Sequence, residues 1–182
     1  MLKVDPFNQP NVAESKERTG ALLSNWKNYS DSAGHRIGDL EIYSNSKNES
    51  LAGYLQELKT GKYLAVMAYL NREKDSQIIE IRESLENRLG IPTTFGWGPR
   101  FLHSTGQFHK GGPLVGAFLQ ITSQSNIELE IPGAGYGFER LVLAQALGDN
   151  EALSSRGLKV IRIHLKERRA GINQLISAIA EL

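Results

Sequence analysis

"YLAVMAYL", Tyr63–Leu70, carries no charged side chain and is closed at once by Asn71 and Arg72. A short apolar run bounded by polar residues reads as a strand buried on both faces. The next segment, "REKDSQIIEIRESLENRLG", is amphipathic: Ile78, Ile81, Leu85 and Leu89 fall on one helical face, and Gly90 ends it. A second strand is expected at Thr93–Trp97. Strand, helix and strand in succession predict the α/β class, with a mixed or parallel sheet flanked by helices.

The same alternation extends outward from this unit. Val115–Ser123 and Asn126–Pro132 read as strands, the second as a hairpin partner of the first. "GFERLVLAQALGDNEALSSRG" is helical, with a break expected near Gly148. "LKVIRIHLK" is a last strand. Ile161, Ile163 and Leu165 make one face apolar, while the other runs from Leu158 and Val160 to the polar Arg162 and His164. "AGINQLISAIAEL" closes the chain as a helix. Toward the N-terminus, "SKNESLAGYLQELKTG" is a short helix closed by Gly61, Asp39–Ser44 alternates as a strand does, and "KNYSDSAGHRIGD" reads as a loop. Met1–Pro10 is expected to be an extended arm, because Pro6 and Pro10 disfavour helical dihedrals at the residues before them. A helix over Val12–Lys27 follows, with Asn11 as its N-cap and Glu14 completing a capping box. The division expected is an arm and helix over 1–30 and an α/β domain over 31–182.

Composition narrows the function classes. Lys and Arg number 21 against 20 acidic residues, so there is no clustered basic excess to argue for nucleic acid. The absence of cysteine excludes disulfides, thiolate nucleophiles and Cys-ligated zinc. No apolar stretch approaches a membrane span, and the N-terminus lacks a signal-peptide pattern. The expectation is a cytoplasmic protein with no membrane partner and no cofactor.

Chemistry is concentrated in two segments. In "DPFNQPNVAESK", Asp5–Lys16, Gln9 offers donors and acceptors suited to sugar hydroxyls, and Lys16 lies four residues after Val12, beside an apolar position. Partial desolvation there would make Lys16 a proton donor near neutral pH; the plainer alternative is a surface lysine lying along apolar neighbours. In "GWGPRFLHSTGQFHKGGP", Gly96–Pro113, glycines are interleaved with Arg100, His103, Ser104, Thr105, Gln107, His109 and Lys110. Read as one long connection over Gly98–Leu114, this is a candidate phosphate or anion site, with the two histidines as acid and base. The alternative is a loop packed on its own polar groups at a subunit contact. No metal site is expected from two histidines without cysteine or a spaced carboxylate. A third segment, "EIPGAGYGFERL", has glycines at 133, 135 and 137, but Phe138 stands where a dinucleotide fingerprint needs its last glycine. It reads as a tight strand-to-helix turn.

Two resemblances bear on these segments. "PFNQPNVAESK" resembles the C-terminal signature of phosphoglucose isomerases: Phe7, Asn8, Gln9, Val12 and Lys16 fall in register, while Asn11 stands for the usual Gly and Ala13 for the usual Glu. "GPRFLHSTGQFHKGGP", "FLQIT", "IPGAGYGFERLVLAQALGD" and "RGLKVIRIHL" look like the extra C-terminal region of bifunctional transaldolase/glucose-6-phosphate isomerases. The resemblance implies that Lys16 assists opening of the sugar ring and that Gln9 lies in the substrate pocket. It also implies a sugar phosphate as ligand and upstream isomerase domains of the same polypeptide as partners, with a homo-oligomer compatible. Aldose–ketose isomerisation needs a base to shuttle a proton between C1 and C2. In that family the base and the phosphate pocket come from sequence upstream of the signature, so the isolated chain is expected to be catalytically silent.

Overall fold

A computed structural model describes residues 10–29, 33–100, 104–124, 127 and 129–182, with backbone only at Asn28 and Ser104. The extended-arm reading of Met1–Pro10 lies outside these residues except at Pro10. The class is α/β, built on a six-stranded mixed sheet. In chain order the elements are α1 (Pro10–Ser24), β1 (His35–Ile37), β2 (Leu40–Tyr43), α2 (Leu51–Gln56), β3 (Tyr63–Tyr69), α3 (Ile81–Leu89), β4 (Thr93–Trp97), α4 (Ser104–Gly111), β5 (Gly116–Ser123), α5 (Phe138–Ser154), β6 (Lys159–Leu165) and α6 (Arg168–Ala180). The sheet order is β1-β2-β6-β5-β3-β4. Strands β6, β5, β3 and β4 are parallel, and β1 and β2 pair antiparallel at the β6 edge.

Alternation along the central strands builds two cores. Leu64 and Val66 of β3, Leu119 and Ile121 of β5, and Ile161 and Ile163 of β6 face α2, α3 and α6. Met67 and Tyr69 of β3, Phe118 of β5 and Val160 of β6 face α5. Burial of each large apolar side chain contributes about 1.5–3 kcal/mol, so the two-faced burial of β3 explains why this strand has no polar face.

Connection direction follows from the right-handed crossover rule. From β3 the chain passes through α3 on one face to the outer strand β4. From β5 it passes through α5 on the opposite face to β6. The chain therefore leaves the C-terminal ends of the adjacent strands β3 and β5 in opposite directions. In open α/β sheets such a switch point leaves a crevice beyond the strand ends.

Several sequence expectations need correction. The polar stretch before Asp39 is not all loop: His35–Ile37 pairs with Leu40–Tyr43 around Gly38, whose φ of 60° suits a residue without Cβ. The connection after β4 contains α4. Among the described residues of Asn126–Pro132 none belongs to a strand of the sheet. Among its described residues only Glu130 forms a bridge, with Gly137, and the hydrogen bonds Phe138 N–H to Leu129 O and Ile131 N–H to Tyr136 O make a closed turn. This agrees with the tight-turn reading of the 133–137 glycines: Gly133 and Gly135 have φ of 78° and 71°, and Gly137 is the N-cap of α5. Helix α5 runs unbroken through Gly148, because that glycine is where α1 crosses. A Cβ there would stand 2.9 Å from Thr19 Oγ1 and 3.1 Å from its backbone nitrogen. Helix α1 begins at Pro10, a residue well suited to a first helical turn, and Asn11 is inside it rather than capping it.

Candidate functional site

Helix α1 packs mainly on α5 and α4. Its buried residues are Val12, Ser15 and Thr19, a single stripe at helical spacing. Gln107 of α4 supplies the cap that Asn11 does not. Its Oε1 accepts from the Asn11 N–H at 3.0 Å, and its Nε2 donates to Asn11 Oδ1 at 2.7 Å. Beneath lies a buried ion pair between Lys110 of α4 and Asp149 of α5, whose side chains are 0% and 1% exposed. Lys110 Nζ also donates to Ser15 Oγ at 2.8 Å, and Ser15 Oγ donates to Asp149 Oδ1 at 3.2 Å. The Tyr69 hydroxyl faces the same carboxylate, and burial holds its pKa well above the ordinary phenol value. Burial raises the Asp149 pKa, and Lys110, Ser15 and Tyr69 act against that rise. At the outer edge, Glu14 accepts from Arg156 and Arg18, and these contacts, the Arg156 hydrogen bond foremost, lower its pKa to about 2. Glu14 therefore serves the α1–α5 contact rather than a capping box.

The sequence candidates in Gly96–Pro113 take two roles. Gln107, His109 and Lys110 are turned inward. His109 accepts or donates a hydrogen bond with the Tyr63 hydroxyl at 2.9 Å and lies against the Phe118 ring; burial, followed by the Lys110 charge, pushes its pKa down to about 4. Arg100 and Thr105 are exposed, and Ser104 opens α4. Gln9 and His103 lie outside the described residues. Lys16 is exposed on the outward face of α1, which corrects the expectation of a desolvated lysine. The helical spacing explains it: Val12 takes the buried position and Lys16 falls past the edge of the stripe.

A cleft lies elsewhere, at the switch point between β3 and β5, and encloses about 910 Å³. Of the described residues of the Gly96–Pro113 stretch only Gly98 reaches it. Tyr69, Leu70 and Asn71 line it from the end of β3, and Thr122, Ser123 and Gln124 from the end of β5. The β6–α6 junction adds Lys166, Glu167, Arg168 and Arg169, and the segment after β3 adds Lys74 and Asp75. Arg168 is held in place: its Nε donates to Ser123 Oγ at 3.2 Å, and its Nη1 stands 3.8 Å from Asp75 Oδ2. The Asn71 N–H in turn donates to Asp75 Oδ2 at 2.9 Å. Glu167 caps α6, accepting from the N–H groups of Arg169 and Ala170 at 3.2 and 2.5 Å. Thr122 hydrogen-bonds His164 at 3.0 Å, so the polar end of β6 reaches the cleft wall through a neighbouring strand. The arrangement offers hydroxyls and oriented cations to a small anion.

Among the described residues of this cleft, Gly98 alone belongs to the two chemistry-bearing segments singled out from the sequence. The available signal was the pair of polar clusters that follow the two buried strands, Asn71–Asp75 and Thr122–Gln124. Among the described residues no group of His, Asp and Glu is placed to hold a metal ion, and no helix is long and apolar enough to cross a membrane.

Neither family profiles nor curated protein sequences give a match to this chain. Among solved structures, the chain is similar in fold to a hypothetical protein of Thermus thermophilus. The TM-score is 0.59 and the identity 20%, over 71% of this chain and 36% of that one. The chain thus spans little more than a third of that protein's length, and what the two are shown to share is the α/β fold.

Proposed function

We propose that this chain is the C-terminal part of a larger cytoplasmic glucose-6-phosphate isomerase, of the type fused or related to transaldolase. In this reading it supplies Lys16 to ring opening, and its cleft takes a phosphorylated ligand. The observation that carries the isomerase reading is the register of Phe7, Asn8, Gln9, Val12 and Lys16 with the phosphoglucose isomerase signature. Helix α1 supports it: Val12, Ser15 and Thr19 bind the helix to the body and leave Lys16 exposed for an upstream domain to meet. The inward-turned Gln107 and Lys110 support a docking role for α4, which holds the signature helix in position.

The test is interconversion of fructose 6-phosphate and glucose 6-phosphate by the longest native polypeptide containing this sequence. Activity in that polypeptide, a severe loss in Lys16→Ala and silence of the isolated 182-residue chain are the expected results. An unaffected Lys16→Ala enzyme refutes the assignment. A second reading, a non-catalytic sugar-phosphate-binding module, is favoured by the cleft, where Ser123, Thr122 and Arg168 converge. In that reading the isolated chain binds sugar phosphates without turning them over, and Arg168→Ala weakens the binding.

A further inference from the structure

The switch-point cleft has two unlike walls. One carries the Thr122 and Ser123 hydroxyls and the cations Lys74, Lys166, Arg168 and Arg169. The other is apolar: Ile127, Leu129 and Phe138 form its lip, with Val142 and Leu143 of α5 beside them. The lip residues are 72%, 64% and 52% exposed, which is high for large apolar side chains gathered at one place. A hexose phosphate offers this wall only the small C–H faces of its ring, between rims of hydroxyls, and would cover little of it. Phosphate alone would use only the cationic wall of a cleft that, at about 910 Å³, is in the size range of sites for whole cofactors and substrates.

From this division we infer that the cleft binds a nucleoside phosphate, with the phosphate on the Arg168 side and the base against the Phe138 lip. The inference rests on the phosphorylated-ligand reading of the same cleft and names the class of ligand. A planar base buries apolar area against an aromatic ring and aliphatic neighbours, which a pyranose or furanose ring does less well. Arg168 is preorganised for the anion. Its contacts to Ser123 and Asp75 engage two of its nitrogens, while a guanidinium has five N–H donors to share. Three carboxylates, Asp75, Glu139 and Glu167, stand against the four cations of the lining. Asp75 is committed to Arg168 and the Asn71 N–H, and Glu167 to the N-terminus of α6. This nearly balanced charge suits a monophosphate better than a triphosphate, because each further negative charge meets the same carboxylates.

The experiment is calorimetric titration of the chain with adenosine 5′-monophosphate, uridine 5′-monophosphate, fructose 6-phosphate, adenosine and inorganic phosphate. The nucleotides are expected to bind at least about tenfold more tightly than fructose 6-phosphate, adenosine or phosphate. Phe138→Ala, a change at a half-exposed position that should leave the fold intact, is expected to weaken nucleotide binding about tenfold and leave phosphate binding unchanged. Arg168→Ala weakens every phosphorylated ligand and spares adenosine. Fructose 6-phosphate binding as tightly as the nucleotides, or Phe138→Ala leaving nucleotide affinity unchanged, overturns the inference. If fructose 6-phosphate then binds in an Arg168-dependent way, the phosphorylated-ligand reading survives alone. If no phosphorylated compound binds, both fall. Neither result bears on Lys16, whose role is read by isomerase turnover.

Discussion

Replacing Lys110 by Met tests the idea that α1 is held by a buried charge pair. The substitution keeps the length and apolar stem of the side chain and removes only the ammonium. Asp149 is then left 1% exposed with no counter-charge. Breaking a buried pair from one side costs about 3–5 kcal/mol. Ser15 still donates to the carboxylate and the Tyr69 hydroxyl still faces it, so the lower end, about 3 kcal/mol, is expected. That is a large share of the total stability of about 5–15 kcal/mol usual for a domain. Adding Asp149→Asn removes the stranded charge and keeps a carbonyl to accept from Ser15. The double variant should therefore recover about 2 kcal/mol. Urea denaturation followed by circular dichroism reads all four members of the cycle. The cost of Lys110→Met should also shrink as pH falls. Burial already raises the Asp149 pKa, and loss of Lys110 removes an influence that lowers it, so acid neutralises the orphaned carboxylate in the folded state. A loss below about 1 kcal/mol, or a double variant no more stable than Lys110→Met, refutes the reasoning.

Two more perturbations probe the same junction. The His109 pKa falls from 6.5 to about 4 on folding, so the unfolded chain binds the extra proton between these values. Stability from the neutral, buried ring is full above pH 6.5 and is lost as pH falls toward 4, by up to about 3 kcal/mol. His109→Gln should flatten that part of the pH–stability curve, and an unchanged slope argues against burial of the neutral imidazole. Gly148→Ala should destabilise the protein by about 1–2 kcal/mol, although alanine is the better helix former, because the new methyl meets Thr19 across the α1–α5 contact. A rise in thermal midpoint would mean that α1 does not cross there.

Local periodicity made most of the elements legible. The unbroken apolar run of Tyr63–Leu70, the helical spacing of Ile78, Ile81, Leu85 and Leu89, and the alternation of Ile161, Ile163 and Leu165 each reflect neighbours within a few residues, and each became the expected strand or helix, except that α3 begins only at Ile81 and Ile78 sits in the 3-10 turn Ser76–Glu80 before it. Signals that depend on a distant partner were misread. Gly148 looks like a break along the chain and is a crossing point in space; Asn11 looks like a cap and is itself capped by Gln107 from another helix. Lys110 and His109 look like loop chemistry and become buried because α4 folds under α1.

The sequence by itself determined the α/β class, through short apolar strands alternating with amphipathic helices, and the helical spacing that places Lys16 on the first helix. Strand order was decided only by the tertiary structure. Setting β3 beside β5, with their connections leaving on opposite faces, opens the cleft at Asn71 and Ser123 and brings Arg168 to it from the far end of the chain. The physical reason is that a strand's own pattern specifies which faces are buried but not which strand lies beside it. That choice belongs to the packing of the whole sheet and its crossovers.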